Sequence, residues 1–275
     1  MSTIEKALAK QKQHNNLGET SAGTSAKEET IADEIPETGI KANNNILTID
    51  KKGLSERGYL IDTGTRKSIK DEFRKIKRKL LNNAFGGGAK LLNNPNLIMV
   101  SSAKPNEGKT FVSINLALSI ALEQDKTVLL VDADVLRPSV NREFGLEQSE
   151  GLIEYLLGKR QVSEIIYNTN IDKLNLISAG SPHHLSNELL ASEKMAIFAQ
   201  ELANRYPDRV VIFDCPPLIG VTETLVLAGL MGQALVVVEE SQTSIESIKA
   251  ATEHLNEDLA VGIVLNKAIS IVVGM

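Results

Sequence analysis

The sequence predicts a doubly wound, mainly parallel α/β sheet with helices on both faces, and three observations carry that expectation. Six short runs rich in Val, Ile and Leu recur after Gly88, at 97–100, 127–131, 174–177, 210–213, 234–238 and 261–265, each separated from the next by a stretch able to hold a helix. The runs are apolar almost throughout instead of alternating, the pattern of strands buried on both faces. Aromatic residues make up only 4% of the 275 residues and Trp is absent, which suits a core of Val, Ile, Leu and Ala.

Taken in order, residues 1–14 place Ile4, Leu8 and Ala7 on one face between Lys and Gln residues, and predict a short amphipathic helix capped by Ser2 or Thr3. Residues 15–60 are expected to form a disordered linker, because the Asn, Gly, Glu, Thr and Ser that dominate 14–45 offer too few large apolar side chains to offset the entropy of ordering. A single domain is expected over 61–275. Its first helix, over 66–81, carries Ile69, Phe73, Ile76 and Leu80 as an apolar stripe and eight Lys or Arg residues elsewhere. Such a helix is either a solvated outer helix or a contact for a membrane or nucleic acid.

Composition narrows the class. The net charge of −5 and the pI near 5.5 give no global field for nucleic acid, which is not expected as a partner. The single cysteine, Cys215, fits a reducing compartment and excludes a cysteine-based zinc site; beside Asp214 it reads as a small buried residue and not a nucleophile. No stretch approaches the roughly 18 to 20 apolar residues that cross a bilayer. A cytoplasmic protein is therefore expected, held at a membrane only through a partner. His14, His183, His184 and His254 show no metal-ligand spacing.

The chemistry gathers at the ends of the apolar runs. The first leads into Ala103-Lys104-Pro105-Asn106-Glu107-Gly108-Lys109-Thr110, then Phe111 and a helical pattern, which is the P-loop spacing between a strand and a helix with Ala103 in place of the first glycine. Gly108 lets backbone amides approach phosphates, Lys109 reaches the β- and γ-phosphates of ATP, and Thr110 offers its hydroxyl to Mg2+. The second run ends at Asp132 and Asp134, and the fourth at Asp214, all at the carboxyl edge where open α/β sheets bind ligands. Buried carboxylates there need a cation, and magnesium is the natural one; the alternative for Asp132 and Asp134 is to cap the helix that starts near Pro138. The last run ends at Asn266, placed either to read the adenine edge or simply to turn the chain. The expected fold is thus of the P-loop NTPase type.

Over about residues 60–267 the chain resembles the bacterial tyrosine kinases, which share the P-loop ATPase superfamily with the Min and Par ATPases. The resemblance rests on AKPNEGKTFVSINLA as Walker A, VLLVDADVLRP as Walker A′, VVIFDCPPLIG as Walker B, and LISAGSPHHLSNELLAS between them. Within the family, STIEKALAK and KRKLLNNAF are most similar to the soluble autokinases of exosortase-linked exopolysaccharide clusters. The resemblance implies an ATP-dependent protein tyrosine kinase regulating exopolysaccharide biosynthesis. Asp132 would be the base or orienter for the acceptor hydroxyl, Asp134 and Asp214 would help hold magnesium, and Lys109 would stabilise the transferring phosphoryl group. Asp71, Arg74 and Lys77 would stand for the family's Glu-x-x-Arg-x-x-Arg oligomer motif. A membrane activator of the polysaccharide chain-length-determinant type, a homo-oligomer and a tyrosine phosphatase are implied as partners.

The chain departs from the family in two places. Arg137 follows the aspartates as Asp-x-Asp-x-x-Arg instead of the commoner form with one intervening residue, and no tyrosine follows Tyr206 where the family carries a tyrosine-rich tail. Tyr59, Tyr155 and Tyr167 are then the candidate acceptors, although Tyr155 in GLIEYLLGK has the spacing of a core-facing residue. Two alternatives stay open: an ATP-binding switch without kinase activity, or a Min/Par-like ATPase, whose P-loop also has a lysine where Lys104 stands but normally Gly-Gly after it.

Overall fold

The computed structural model describes residues 43–61 and 67–268. Eight strands form one sheet: β1 (Asn43–Leu47), β2 (Leu97–Ser102), β3 (Thr127–Asp132), β4 (Tyr167–Thr169), β5 (Leu174–Ile177), β6 (Arg209–Asp214), β7 (Gln233–Glu239) and β8 (Ala260–Asn266). Their spatial order is β1-β4-β5-β3-β6-β2-β7-β8, and every neighbouring pair is parallel except β4 with β5. All six strands expected from the apolar runs are present.

The period of two in a strand divides each run between two cores. Leu97, Met99, Leu129, Val131, Val211 and Phe213 face one side, under the helices Glu193–Arg205 and Thr222–Ala228, with Phe198, Leu202 and Leu227 filling the layer. Ile98, Val100, Val128, Leu130, Val210 and Ile212 face the other, under the helix Lys109–Ala121. That helix is apolar nearly all round because the helix Lys67–Phe85 covers its outer side in turn, burying Phe73 and Leu80. At the edge, β8 is covered on one face only: Val261, Ile263 and Leu265 remain exposed.

Two expectations need correction. Residues 43–60, assigned to the linker, fold onto the sheet: β1 pairs with β4, the helix Lys51–Glu56 is capped by Asp50, and Ile49, Leu54, Tyr59 and Leu60 are buried. Composition misses this because the partners lie far along the chain. The Asn170 side chain bonds both the N–H and the C=O of Ile49 at 3.0 and 3.1 Å, and Leu60 N–H donates to Asn115 at 2.8 Å. The helix expected over 1–14 and the rest of the linker lie outside the described residues.

The second correction concerns the oligomer motif. Asp71 and Arg74 form an outward ion pair at 3.0 Å, but Lys77 is 7% exposed and turns inward. Its Nζ donates to Ser119 O at 2.9 Å and pairs with Glu123, so in the single chain it satisfies a last-turn carbonyl of the Lys109–Ala121 helix instead of pointing outward.

Candidate nucleotide site

β2 emerges between β6 and β7 and passes at once into the 103–108 loop, which the surrounding chain holds in place. Asn106 and Gly108 take positive φ of 68° and 96°, and the backbone then turns into the Lys109–Ala121 helix. Glycine is required at 108 twice over, since a Cβ there would also stand 2.1 Å from Asn266 Nδ2. Glu107, although a carboxylate, is only 4% exposed: it accepts from Lys104 N–H at 2.7 Å and from the Thr243 hydroxyl. Asn266 Nδ2 donates to Glu107 O at 2.9 Å, and Lys267 Nζ bridges Asn106 O and Glu239 at 2.9 and 2.8 Å. The ends of β7 and β8 thus clamp the loop, and the amide of Asn266 is engaged with the loop backbone here. Ala103 is buried, while Lys104, Pro105 and Asn106 face outward.

Lys109 points back to the mouths of β3 and β6. Its Nζ lies 2.8 Å from Asp134 Oδ2 and 3.5 Å from Asp214 Oδ2. Burial alone would lower its pKa, but the charges of Asp214 and then Asp134 outweigh it and hold the ammonium above the ordinary lysine value. Thr110 Oγ1 donates to Asp214 Oδ2 at 2.6 Å and lies 2.8 Å from Ser139 Oγ, while Ser113 Oγ reaches Asp214 Oδ1 at 3.1 Å. Asp214 is fully buried, and burial raises its pKa against the pull of Lys109 and Thr110.

Asp132 sits beside Asp214 in register across β3 and β6. One of its oxygens accepts Ser139 N–H and Val140 N–H at 3.1 and 3.0 Å, and the other accepts Asp134 N–H at 3.2 Å. Burial, then the charge of Asp214, pushes its pKa up to about 8, so near neutrality it holds a proton in reach of acid–base work. Asp134 Oδ1 also accepts Arg137 N–H at 3.1 Å, which places the Arg137 side chain on the outer wall. Asp132 and Asp134 therefore both shape the turn after β3 and face the lysine.

These groups open onto a cavity of about 580 Å³ lined by the P-loop, residues 134–143, the 216–221 turn and Tyr59. A hydroxyl with two or three carboxylates is a hard-oxygen donor set that suits Mg2+ sharing its shell with phosphates and water. Among the described residues no group of three or more His, Cys, Asp or Glu side chains could hold a metal by itself, so the phosphates would have to complete the shell. Cys215 is fully buried, and burial, then the charge of Asp214, raises its thiol well above the usual value, as expected of an inert side chain.

Sequence reasoning did not find Ser113, Ser139, Glu143 or Thr243, and it named Tyr59 only as a candidate acceptor, not as a residue lining the cavity. Ser113 alone left a local signal, one turn after Lys109 on the same helix face. The others reach the site from elements that only the tertiary fold brings near.

The AAA domain family profile matches residues 95–269. The chain is 34% identical over 158 residues to the tyrosine-protein kinase YwqD of Bacillus subtilis, covering 58% of this chain and 65% of that one. It is 32% identical over 162 residues to the tyrosine-protein kinase ptk of Acinetobacter johnsonii, covering 59% of this chain but only 22% of the relative's length. Among solved structures it resembles the kinase domain of the Escherichia coli tyrosine kinase ETK, with a TM-score of 0.62 and 27% identity over 72% of this chain and 77% of that one.

Proposed function

The chain belongs to the AAA domain family, and from that premise we propose that it is an ATP-dependent protein tyrosine kinase that regulates exopolysaccharide assembly. The observation that carries the reading is the meeting of Lys109 with Asp134 at 2.8 Å and of Thr110 with Asp214 at 2.6 Å, at the mouth of a cavity large enough for a nucleotide triphosphate tail. Similarity to tyrosine-protein kinases over more than half of the chain supports the choice of reaction.

In this reading the loop amides of 103–110 cradle the phosphates, and Lys109 exchanges its carboxylate partners for the β- and γ-phosphates as ATP enters. Magnesium, when bound, would neutralise phosphate charge; Thr110 and Asp214 would hold it, with Asp132 and Asp134 in its outer shell. Asp132 orients the acceptor hydroxyl, and its ionised form, which burial and the charge of Asp214 disfavour in the nucleotide-free chain, would take up the proton. Positioning and charge stabilisation then supply most of the rate. Phe111 lines the cavity beside Tyr59, and Asn266 joins the loop to β8, from which it would reach the adenine edge in this reading.

Partners belong to the same proposal. The outward pair of Asp71 and Arg74 is the part of the oligomer motif free to meet a second copy, a membrane activator of the polysaccharide chain-length-determinant type would recruit the chain to the inner membrane, and a phosphatase would reverse the modification. No helix among the described residues is long and apolar enough to cross a membrane. The test is incubation of the full chain with Mg-ATP followed by phosphosite mass spectrometry, beside Lys109→Met. Phosphotyrosine dependent on Lys109 supports the kinase; ATP binding with no phosphotyrosine on the chain or on an added tyrosine-containing copolymer sinks it and leaves the switch or ATPase reading.

A further inference from the structure

The helix Lys67–Phe85 buries Phe73 and Leu80 and turns outward a basic face that the nucleotide site does not use. Lys75, Arg78 and Lys79 stand three and four residues apart, so they share that face, and all three are exposed. Lys90 follows in the short 3-10 helix Gly87–Leu91 and is exposed as well. None of these four cations has an ion-pair partner among the described residues. The nearby acids are matched already: Asp71 pairs with Arg74, Glu123 with Lys77 and Asp125 with Lys126, which leaves Glu72 as the one unpaired carboxylate of the helix among the described residues.

Two leucines project beside this charge. Leu91 is 85% exposed and Leu122 76%, more than any other large apolar residue among those described. Leu91 ends the turn that leads to β2, and Leu122 follows the Lys109–Ala121 helix just before β3, so both stand at the amino edge of the sheet. Only β6 separates β2 from β3, which puts the starts of those two strands about 10 Å apart. The basic helix ends at the same edge: Lys126 Nζ lies 4.8 Å over the Phe85 ring, and the Asn83 amide donates to Gln233 at the start of β7.

We propose that this pole docks the chain directly on an anionic phospholipid surface, with Leu91 and Leu122 entering the headgroup layer and Lys75, Arg78, Lys79 and Lys90 meeting lipid phosphates. The inference goes beyond the kinase reading and does not depend on it, nor on a membrane activator. Cations near an anionic leaflet attract it within a Debye length, and apolar side chains that enter the interface add a contribution that salt does not screen. The combination selects lipid. A nucleic acid would engage the cations but offers no apolar layer for two projecting leucines, and a two-fold contact with a second copy would set the same four cations against themselves. Docked this way, the nucleotide cavity faces away from the bilayer, because β2 and β3, six residues each, separate the two edges of the sheet by about 20 Å.

The experiment floats the full chain on a density gradient with vesicles of phosphatidylcholine alone, or of phosphatidylcholine and phosphatidylglycerol in about a two-to-one ratio. The expected result is flotation with the anionic vesicles only, and release as NaCl rises from about 0.1 to about 0.5 M. Reversing three charges together, Lys75→Glu with Arg78→Glu and Lys79→Glu, should weaken partitioning at least about 100-fold, from about fivefold for each cation lost. Leu91→Ser should weaken it about tenfold. A control with the same change in net charge, Lys51→Glu with Lys52→Glu and Lys249→Glu at exposed positions elsewhere, should stay within about threefold of the wild type. Absence of binding to anionic vesicles overturns the proposal, and so does binding that the control weakens as much as the triple variant or that Leu91→Ser leaves unchanged. Capture of a duplex DNA probe, lost in the triple variant and without vesicle binding, would make the occupant a nucleic acid; a fall in oligomer mass of the triple variant by light scattering, again without vesicle binding, would make it a second copy. Either result overturns the lipid assignment. Vesicle binding as expected in a chain that forms no phosphotyrosine supports this inference while the kinase reading falls.

Discussion

Lys109 Nζ and Asp134 Oδ2 are 2.8 Å apart in a pocket where both side chains are almost fully buried, so the lysine that would grip phosphates is already paired with a carboxylate. ATP must displace that partner, and the lysine compensates buried negative charge in the meantime. Replacing Lys109 with Met should therefore do two things at once. It should abolish ATP binding measured by titration calorimetry, and it should lower stability in urea by about 3 kcal/mol, because Asp134 and Asp214 lose their counter-charge. A variant that loses binding with unchanged stability would show that the pair does not support the fold.

Asp132 has its proton held to about pH 8 in the folded chain, against an ordinary value of 3.8. Between those values the unfolded chain is ionised while the folded chain keeps the proton. Nucleotide-free stability should therefore fall as pH rises from about 4 to about 8, the direction in which linkage runs for a raised carboxyl. Asp132→Asn removes the ionisation. Its melting temperature should exceed that of the wild type near neutral pH, and the difference should shrink toward zero near pH 4. A difference that is constant with pH would mean that Asp132 is ionised in the native state.

What could be read in advance follows from how local each signal is. The P-loop was legible because residues 103–110 are contiguous and each type has its own task, and five of the six strands were legible because burial on both faces leaves an unbroken apolar run; β8 carries such a run although one of its faces is exposed. β1 was not: NNNIL becomes a strand because β4 offers it partners, while the Asn170 side chain holds Ile49 just beyond it. Lys77 was misplaced for a related reason, since charge pattern cannot tell an interface cation from one that turns inward to the carbonyl of Ser119. Tyr59 and Glu143 became site residues only when the 46–61 segment folded across the turn after β3.

Gly108 carries two separable requirements, a backbone at φ 96° and the space taken by Asn266 Nδ2. Gly108→Ala should cost about 2 kcal/mol, the sum of a left-handed alanine at about 1–2 kcal/mol and a displaced side chain. Asn266→Ala removes the second part only. In a double-mutant cycle followed by urea denaturation, Gly108→Ala should cost less in the Asn266→Ala background than alone. Equal costs in both backgrounds would show that backbone conformation is the whole requirement.

Lys77 and Arg74 share a helix and a charge but meet different surroundings, and a pair of substitutions separates them. Lys77→Ala removes the donor to Ser119 O and the partner of Glu123, leaving a carbonyl near the end of the P-loop helix without its side-chain bond. A stability loss of about 2 kcal/mol is expected, within the range for a hydrogen bond to a charged group, and assembly state should not change. Arg74→Glu, on the exposed face and paired among the described residues with Asp71, should leave stability within about 0.5 kcal/mol, as exposed ion pairs do. Its effect should appear in light scattering with Mg-ATP present, as a shift from oligomer toward monomer. If instead Lys77→Ala dissociates the oligomer at unchanged stability, the inward placement of that lysine does not describe the assembled state.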